Sequence, residues 1–241
     1  MSWRAATVAA VRRETSTAAT VTLRVPGWPG HEAGQHLDLR LTAEDGYTAT
    51  RSYSIASVPD VDSVEVTVER LGDGEVSPYL VDEVRPGDRV EVRGPVGGWF
   101  VWRPEQKEPV LLVGGGSGVV PLMAVVRRHR QAGSAAPLRL VYSVRDPDAT
   151  IYRDELESQN GDGLCLTYVF TRRTPEGWPR PAGRLDGALL AEASFAPRDG
   201  ATSYVCGPTG FVEAVADLLI GAGHDPRRVR TERFGPSGGS S

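Results

Sequence analysis

The chain has 241 residues, of which 40% are hydrophobic and 24% charged, with a net charge of −4 at neutral pH. That suits one large domain or two ordinary ones with full cores, and it argues against a nucleic-acid binder, which needs a basic footprint to displace counterions from phosphates. Cys165 and Cys206 are too few for a four-thiolate iron–sulfur cluster, and His31, His36, His129 and His224 show no zinc-ligand spacing, so no metal site is expected.

In chain order, the start "MSWRAATVAAVRRET" is too polar for a secretory signal, and no apolar run approaches the roughly 18 residues of a membrane span. A cytoplasmic chain with reduced thiols and no membrane span is the expectation. Up to about residue 104 the apolar pattern alternates in short runs: "TVAAVRR", "ATVTLRV", "QHLDLRL", "SVEVTVERL" and "DRVEVRG". Period-two runs divided by Gly, Pro and Asp turns predict antiparallel strands of a barrel or sandwich. "EVSPYLVDEV" (75–84) is the one helix predicted in this half, with Ser77 as a candidate cap and Pro78 at the first helical position.

Beyond "WRPEQKEP" the texture changes. "VLLVGG", "LRLVYSV", "LCLTYVF" and "TSYVCG" are solid apolar runs, the mark of strands covered on both faces. Between them lie amphipathic segments such as "VVPLMAVVRRHRQAG" and "FVEAVADLLIGAG". The alternation predicts a doubly wound α/β unit with a parallel sheet and a ligand crevice at the carboxyl ends of its strands. The predicted division is therefore a β-barrel over 1–104, an α/β domain over 105–234 and a flexible Gly/Ser tail over 235–241. Cys165, in mid-strand, and Trp99 and Phe100, after the turn "RGPVGG", are expected in the core.

Two stretches carry chemistry. "TRSYSIAS" (50–57) sets a cation, a phenol and several hydroxyls in one strand, with Ser52 and Ser54 on one face and Tyr53 and Ile55 on the other. "VLLVGGGSGVVPLM" turns an apolar strand into a helix through Gly114, Gly115, Gly116 and Gly118, with Pro121 in the first helical turn. Glycines there let the backbone approach a bulky anion at the helix N-terminus, and close strand–helix packing would demand them equally. Val119 breaks both the GxGxxG spacing and the GxSxG nucleophile elbow.

"RSYS", "GGGSGVVP" and "VCGP", in that order and at these distances, resemble the ferredoxin–NADP reductase superfamily over about residues 3–234. The resemblance implies an FAD-binding barrel in which Arg51 pairs with the flavin pyrophosphate, Ser52 and Tyr53 line the flavin, and Ser54 hydrogen-bonds its reactive nitrogen. Gly74, Val76 and Ser77 would add donors to that pyrophosphate. Gly115, Gly116, Gly118 and Pro121 would seat the nicotinamide-nucleotide pyrophosphate. Arg145, followed by Asp146, would meet the adenosine ribose, which leans toward NADPH over NADH. Cys206, with Gly207 and Pro208, would border the nicotinamide; Glu232 would approach it, and Phe234 would cover the flavin.

The implied function is an FAD-dependent NAD(P)H oxidoreductase with no fused iron–sulfur domain, passing electrons to a separate acceptor protein such as a ferredoxin. Arg127, Arg128, Arg130, Arg227, Arg228 and Arg230 could dock an acidic partner of that kind. Two alternatives stay open at this point: reduction of a diffusible acceptor (free flavin, ferric chelate, quinone), and a flavin- and nicotinamide-binding module without turnover.

Overall fold

A computed structural model describes residues 2–43, 45–72 and 74–235. The alternating runs of the first half form β1 (Arg4–Thr15), β2 (Ala18–Arg24), β3 (His36–Thr42), β4 (Thr48–Ser54), β5 (Ser63–Glu69) and β6 (Arg89–Val96), antiparallel in the order β4-β3-β6-β1-β2-β5. Ile55, just past β4, bridges Val66 of β5 and closes the sheet into a barrel, which removes its open edges. Val64, Val66 and Val68 point inward onto Val21, Leu23, Leu37, Leu39, Val90 and Val92, all at most 3% exposed.

The period-two rule places Glu65, Thr67 and Glu69 on the outer face of β5. That face meets the second half of the chain rather than water: Thr67 is 5% exposed. The predicted helix over 75–84 is shorter and looser than expected. One α-turn, α1 (Val76–Pro78), gives way to a π-turn over Tyr79–Glu83, where the Val84 amide donates five residues back to the Tyr79 carbonyl at 2.9 Å. Its N-cap is Glu75, not Ser77.

The apolar runs of the second half form β7 (Val110–Gly115), β8 (Leu138–Val144), β9 (Leu164–Phe170), β10 (Thr202–Pro208) and β11 (Val229–Phe234), all parallel in the order β11-β10-β7-β8-β9. The crossovers hold α2 (Val119–Gln131), α3 (Arg153–Gln159), α4 (Gly187–Ala193) and α5 (Thr209–Gly221). One face of the sheet, with Leu111, Val113, Val141 and Val205, packs on Leu190, Val212, Val215 and Leu219 of α4 and α5. The other, with Leu112, Tyr142, Tyr204 and Cys206, packs on α2 and runs without a break into Ala18, Ala33, Ala56, Phe100 and Trp102 of the barrel side. A shared apolar core of this kind holds the two halves together.

Two expectations of burial fail. Cys165 is exposed, near the start of β9, the edge strand of the sheet. Trp99 is 60% exposed while its neighbour Phe100 is 6% exposed, since the turn after β6 sends adjacent side chains to opposite sides. Among the described residues, no helix is long and apolar enough to cross a membrane. Of the expected tail, 236–241 lies outside the described residues.

Candidate functional site

The carboxyl ends of β7 and β8 open toward the end of β5, where Glu69 lies against Gly116 and Arg145, and β11 approaches the start of β3 through Glu232 and His36. On the barrel side, Arg51 is exposed on β4, its Nη1 donating to the Thr50 carbonyl at 2.7 Å, and it has no carboxylate partner among the described residues. Ser52 donates to Asp38 at 2.6 Å, and Asp38 is held in turn by Arg93 at 2.7 Å. Tyr53 is half-buried against the barrel core, and burial pushes its phenol pKa well up, so it acts as a neutral ring. Ser54 lies directly opposite His36 in the β3–β4 register. Next to this strand, Val76 and Ser77 are buried at the start of α1, with the Ser77 hydroxyl accepting from the Leu71 amide at 3.1 Å. Gly74 packs on that hydroxyl, since a Cβ at position 74 would lie 3.0 Å from it.

The glycines after β7 divide their work. A Cβ at Gly115 would press on the Phe211 ring at 2.7 Å, and one at Gly118 would lie 2.1 Å from the Cys206 carbonyl oxygen. Both are packing glycines. Gly116 differs: its φ is +56°, and its nearest neighbour on the open side is a Glu69 carboxylate oxygen, 3.9 Å away. Pro121 is buried in the first turn of α2. The loop thus presents one open, backbone-lined side, at Gly116, beside the start of a helix.

The third component is the β10–β11 pair. Cys206 and Glu232 are register partners, as are Pro208 and Phe234. Cys206 is 1% exposed on the barrel-facing side of the sheet; burial first, then the charge of Glu232, pushes its thiol pKa well up and keeps it protonated. Gly207 is buried, Pro208 exposed, and Phe234 is 38% exposed. Burial pushes the Glu232 carboxyl up to about 7. Its Oε2 is buried without a partner, and its Oε1 lies 3.7 Å from Nδ1 of His36. Burial lowers the His36 pKa, with Asp38 opposing, so the imidazole is neutral at pH 7.

A raised carboxyl pKa binds its proton more tightly in the folded state. The fold therefore loses stability as pH rises from the ordinary carboxyl range, about 4.5, to about 7, and is level above it. Glu232→Gln is expected to remove this slope. Thermal denaturation across that window should show native protein falling behind the variant as pH rises; parallel curves would contradict it.

Each element fits the groups implied for it: an unpaired guanidinium and a half-buried phenol for a flavin nucleotide, an open glycine backbone for a second pyrophosphate, and an orphaned buried carboxyl oxygen between them. Several of the other residues named from the sequence have partners within the chain. Arg145 is not free, because its Nη2 is 3.1 Å from Glu69. Of the six arginines named for docking, Arg127, Arg227, Arg228 and Arg230 are engaged by groups of the chain itself. Arg127 is clamped by Glu155 and Glu65, and Arg230 donates to the Val101 carbonyl beneath the Trp99 ring. Arg227 pairs with Asp225, and Arg228 lies near Glu108. The sequence reading passed over His36 and Glu69. Both stand at strand positions whose outward face looked solvated, and only the strand register could have drawn attention to them.

Residues 9–101 match the oxidoreductase FAD-binding domain, and residues 112–217 match the oxidoreductase NAD-binding domain. The chain is 34% identical over 210 residues to the glycine betaine monooxygenase reductase subunit of Pseudomonas aeruginosa, covering 85% of this chain and 56% of the relative. It is 32% identical over 234 residues to the 3-ketosteroid-9-alpha-monooxygenase ferredoxin reductase component of Rhodococcus rhodochrous, covering 95% and 64%. The chain thus spans less than two thirds of the length of these relatives. In fold it is similar to the FAD/NAD-binding domain of nitric oxide dioxygenase from Vibrio cholerae, with a TM-score of 0.87 and 24% identity over 97% of this chain and 99% of that one.

Proposed function

Because the chain belongs to the ferredoxin reductase family of FAD-binding and NAD-binding oxidoreductases, we propose that it oxidises NAD(P)H through bound FAD and delivers the electrons to a separate acceptor protein, a ferredoxin or similar redox carrier. We take 1–104 as the FAD-binding unit and 105–234 as the nucleotide-binding unit. The observation that supports this reading best is the convergence of three distant stretches: Ser54 faces His36 across β3–β4, His36 reaches Glu232 at 3.7 Å, and Glu232 pairs with Cys206. A plain binding module has no need of such a line of proton-bearing groups between two nucleotide cradles.

FAD, when bound, supplies the hydride acceptor and the single-electron outlet. The residues of the chain bind and orient. Arg51 offers a planar fork of donors to the flavin pyrophosphate, beside Gly74, Val76 and Ser77. Ser52, tied to Asp38, fixes the strand, while Tyr53 and Phe234 would cover the flavin and Ser54 would donate a hydrogen bond to its reactive nitrogen. Gly116 offers its open backbone to the nicotinamide nucleotide, while Gly115 and Gly118 let the loop close on Phe211 and Cys206 and Pro121 starts the helix behind it; Cys206, Gly207 and Pro208 border the nicotinamide ring and exclude water. Glu232, with a carboxyl pKa near neutrality, holds or releases a proton toward His36.

Anaerobic addition of stoichiometric NADH or NADPH to the purified protein should bleach the flavin absorbance bands, and reoxidation should then be fastest with a ferredoxin. Protein that stays colourless and inert after added FAD would overturn the assignment. Equal rates with ferredoxin, ferric chelate and free flavin would remove the protein acceptor.

A further inference from the structure

We propose, on the reading that this cleft takes a nicotinamide nucleotide, that Glu69 is its specificity-determining residue: by holding Arg145 across the gap between barrel and sheet, it selects a nucleotide whose adenosine ribose is unphosphorylated, NADH over NADPH.

Glu69 ends β5, on the same outward face as Glu65 and Thr67, each of which engages the α/β half. Its Oε1 accepts from Arg145 Nη2 at 3.1 Å, and its Oε2 looks onto Gly116, 3.9 Å from where a Cβ would stand. One carboxylate therefore spans the interval from the open side of the glycine loop to the end of β8. A dinucleotide whose pyrophosphate rests at Gly116 and whose ribose reaches Arg145 has to pass it. A cavity of about 410 Å³, lined by Glu69, Arg145, Arg70 and Asp82, flanks the pair on the barrel side.

The charges at this end of the cleft cancel. Arg145, Arg172 and Arg173 stand against Glu69, Asp146 and Asp148. Arg173 bridges Asp148 and lies 3.6 Å from Asp146, whose carboxylate also caps the amides of Asp148 and Ala149. Ribose hydroxyls can donate to the Glu69 carboxylate without disturbing this balance. A 2′-phosphate is a dianion that must take Arg145 away from Glu69 and leave that carboxylate facing it, and like-charge juxtaposition of this kind is how a site rejects a near-identical ligand. The arginine that by itself signals NADPH is thus silenced by a residue of the other half.

The test uses the flavin-loaded protein, with two readouts: kcat/KM for NADH and NADPH, and calorimetric binding of 5′-AMP and 2′,5′-ADP, which differ only in the 2′-phosphate. Native protein should prefer NADH. Glu69→Gln should shift the kcat/KM ratio toward NADPH by about tenfold and tighten 2′,5′-ADP to match, with 5′-AMP changed by less than about twofold. Glu69→Asp should retain the native preference, and in an Arg145→Ala background Glu69→Gln should produce a clearly smaller shift, because the carboxylate then has no arginine to hold and only its repulsion of the phosphate is relieved. Native preference for NADPH, equal tightening of both fragments, or a shift that is undiminished without Arg145 would each overturn the proposal. Flavin that neither nucleotide reduces would instead overturn the reductase reading, whatever the fragments do.

Discussion

Gly118→Ala is expected to weaken binding of either nicotinamide nucleotide by about tenfold or more and to destabilise the protein by roughly 2–3 kcal/mol. The cause is steric alone. Gly118 has φ −61° and ψ −11°, which alanine adopts freely, so no backbone strain enters. The new Cβ would lie 2.1 Å from the Cys206 carbonyl oxygen, 2.5 Å from its carbon and 2.8 Å from the Gly207 Cα. All three atoms are backbone of a buried central strand, with β7 on one side and β11 on the other, so they cannot yield. The turn ahead of α2 must move instead, taking with it the open face at Gly116 and loosening the wall around Cys206. In stability Gly116→Ala is the milder case: with no protein atom nearer than 3.9 Å, it costs only the left-handed φ, about 1–2 kcal/mol, although its Cβ stands on the open side of the loop. Calorimetric titration of NAD⁺ and NADP⁺, with melting curves, separates the two. Flavin content should survive Gly118→Ala, since the barrel is untouched. Nucleotide affinity within about twofold of native would show that the turn absorbs the methyl group.

The strand β5 shows where sequence reasoning succeeds and where it stops. "SVEVTVE" alternates so regularly that the strand and its inward valines follow from period alone. The same alternation makes Glu65, Thr67 and Glu69 look like a solvated face. Each instead meets a residue far along the chain: Arg127 at a separation of 62 residues, Tyr152 at 85 and Arg145 at 76. Local pattern says which residues leave the barrel core but not what stands outside it. Cys165 fails for a related reason. Its apolar run is a genuine strand of the parallel sheet, but only the sheet order places it at the edge. The glycine loop was legible as a loop. Its division into packing glycines and one open glycine was not, because the Phe211 ring and the Cys206 carbonyl come from other elements.

Arg127→Ala should cost about 3 kcal/mol, the low end for stripping one partner from a buried ion pair, and lower the melting temperature by roughly 6–12 °C. Arg127 leaves α2 with only 14% of its side chain exposed. Its Nε and Nη2 donate to Glu155 at 2.8 and 2.6 Å, and its Nη1 donates to the Ala56 carbonyl at 2.9 Å and to Glu65 at 3.3 Å. Its plane also lies 5.0 Å from the centre of the Tyr152 ring. Burial by itself would favour losing the charge; the Glu155 carboxylate outweighs it, and the guanidinium pKa stays raised. Of these four partners, Ala56 and Glu65 belong to the barrel half and Glu155 and Tyr152 to the α/β half, so the side chain is a tie between barrel and sheet as much as a local ion pair. Its loss leaves Glu155 and Glu65 facing each other's charge at 33% and 27% exposure, where water recovers only part of the deficit. Arg127→Lys should recover little, because a point charge cannot serve a two-oxygen carboxylate and a carbonyl at once. In a Glu155→Gln background the same alanine substitution should cost less by about 1 kcal/mol or more, the signature of a direct pair. Because the tie also fixes how the flavin-binding strand faces the nucleotide loop, flavin reduction by NAD(P)H should slow along with the loss of stability. A variant that melts within about 2 °C of native and reduces at the native rate would show that the shared apolar core alone sets the two halves in place.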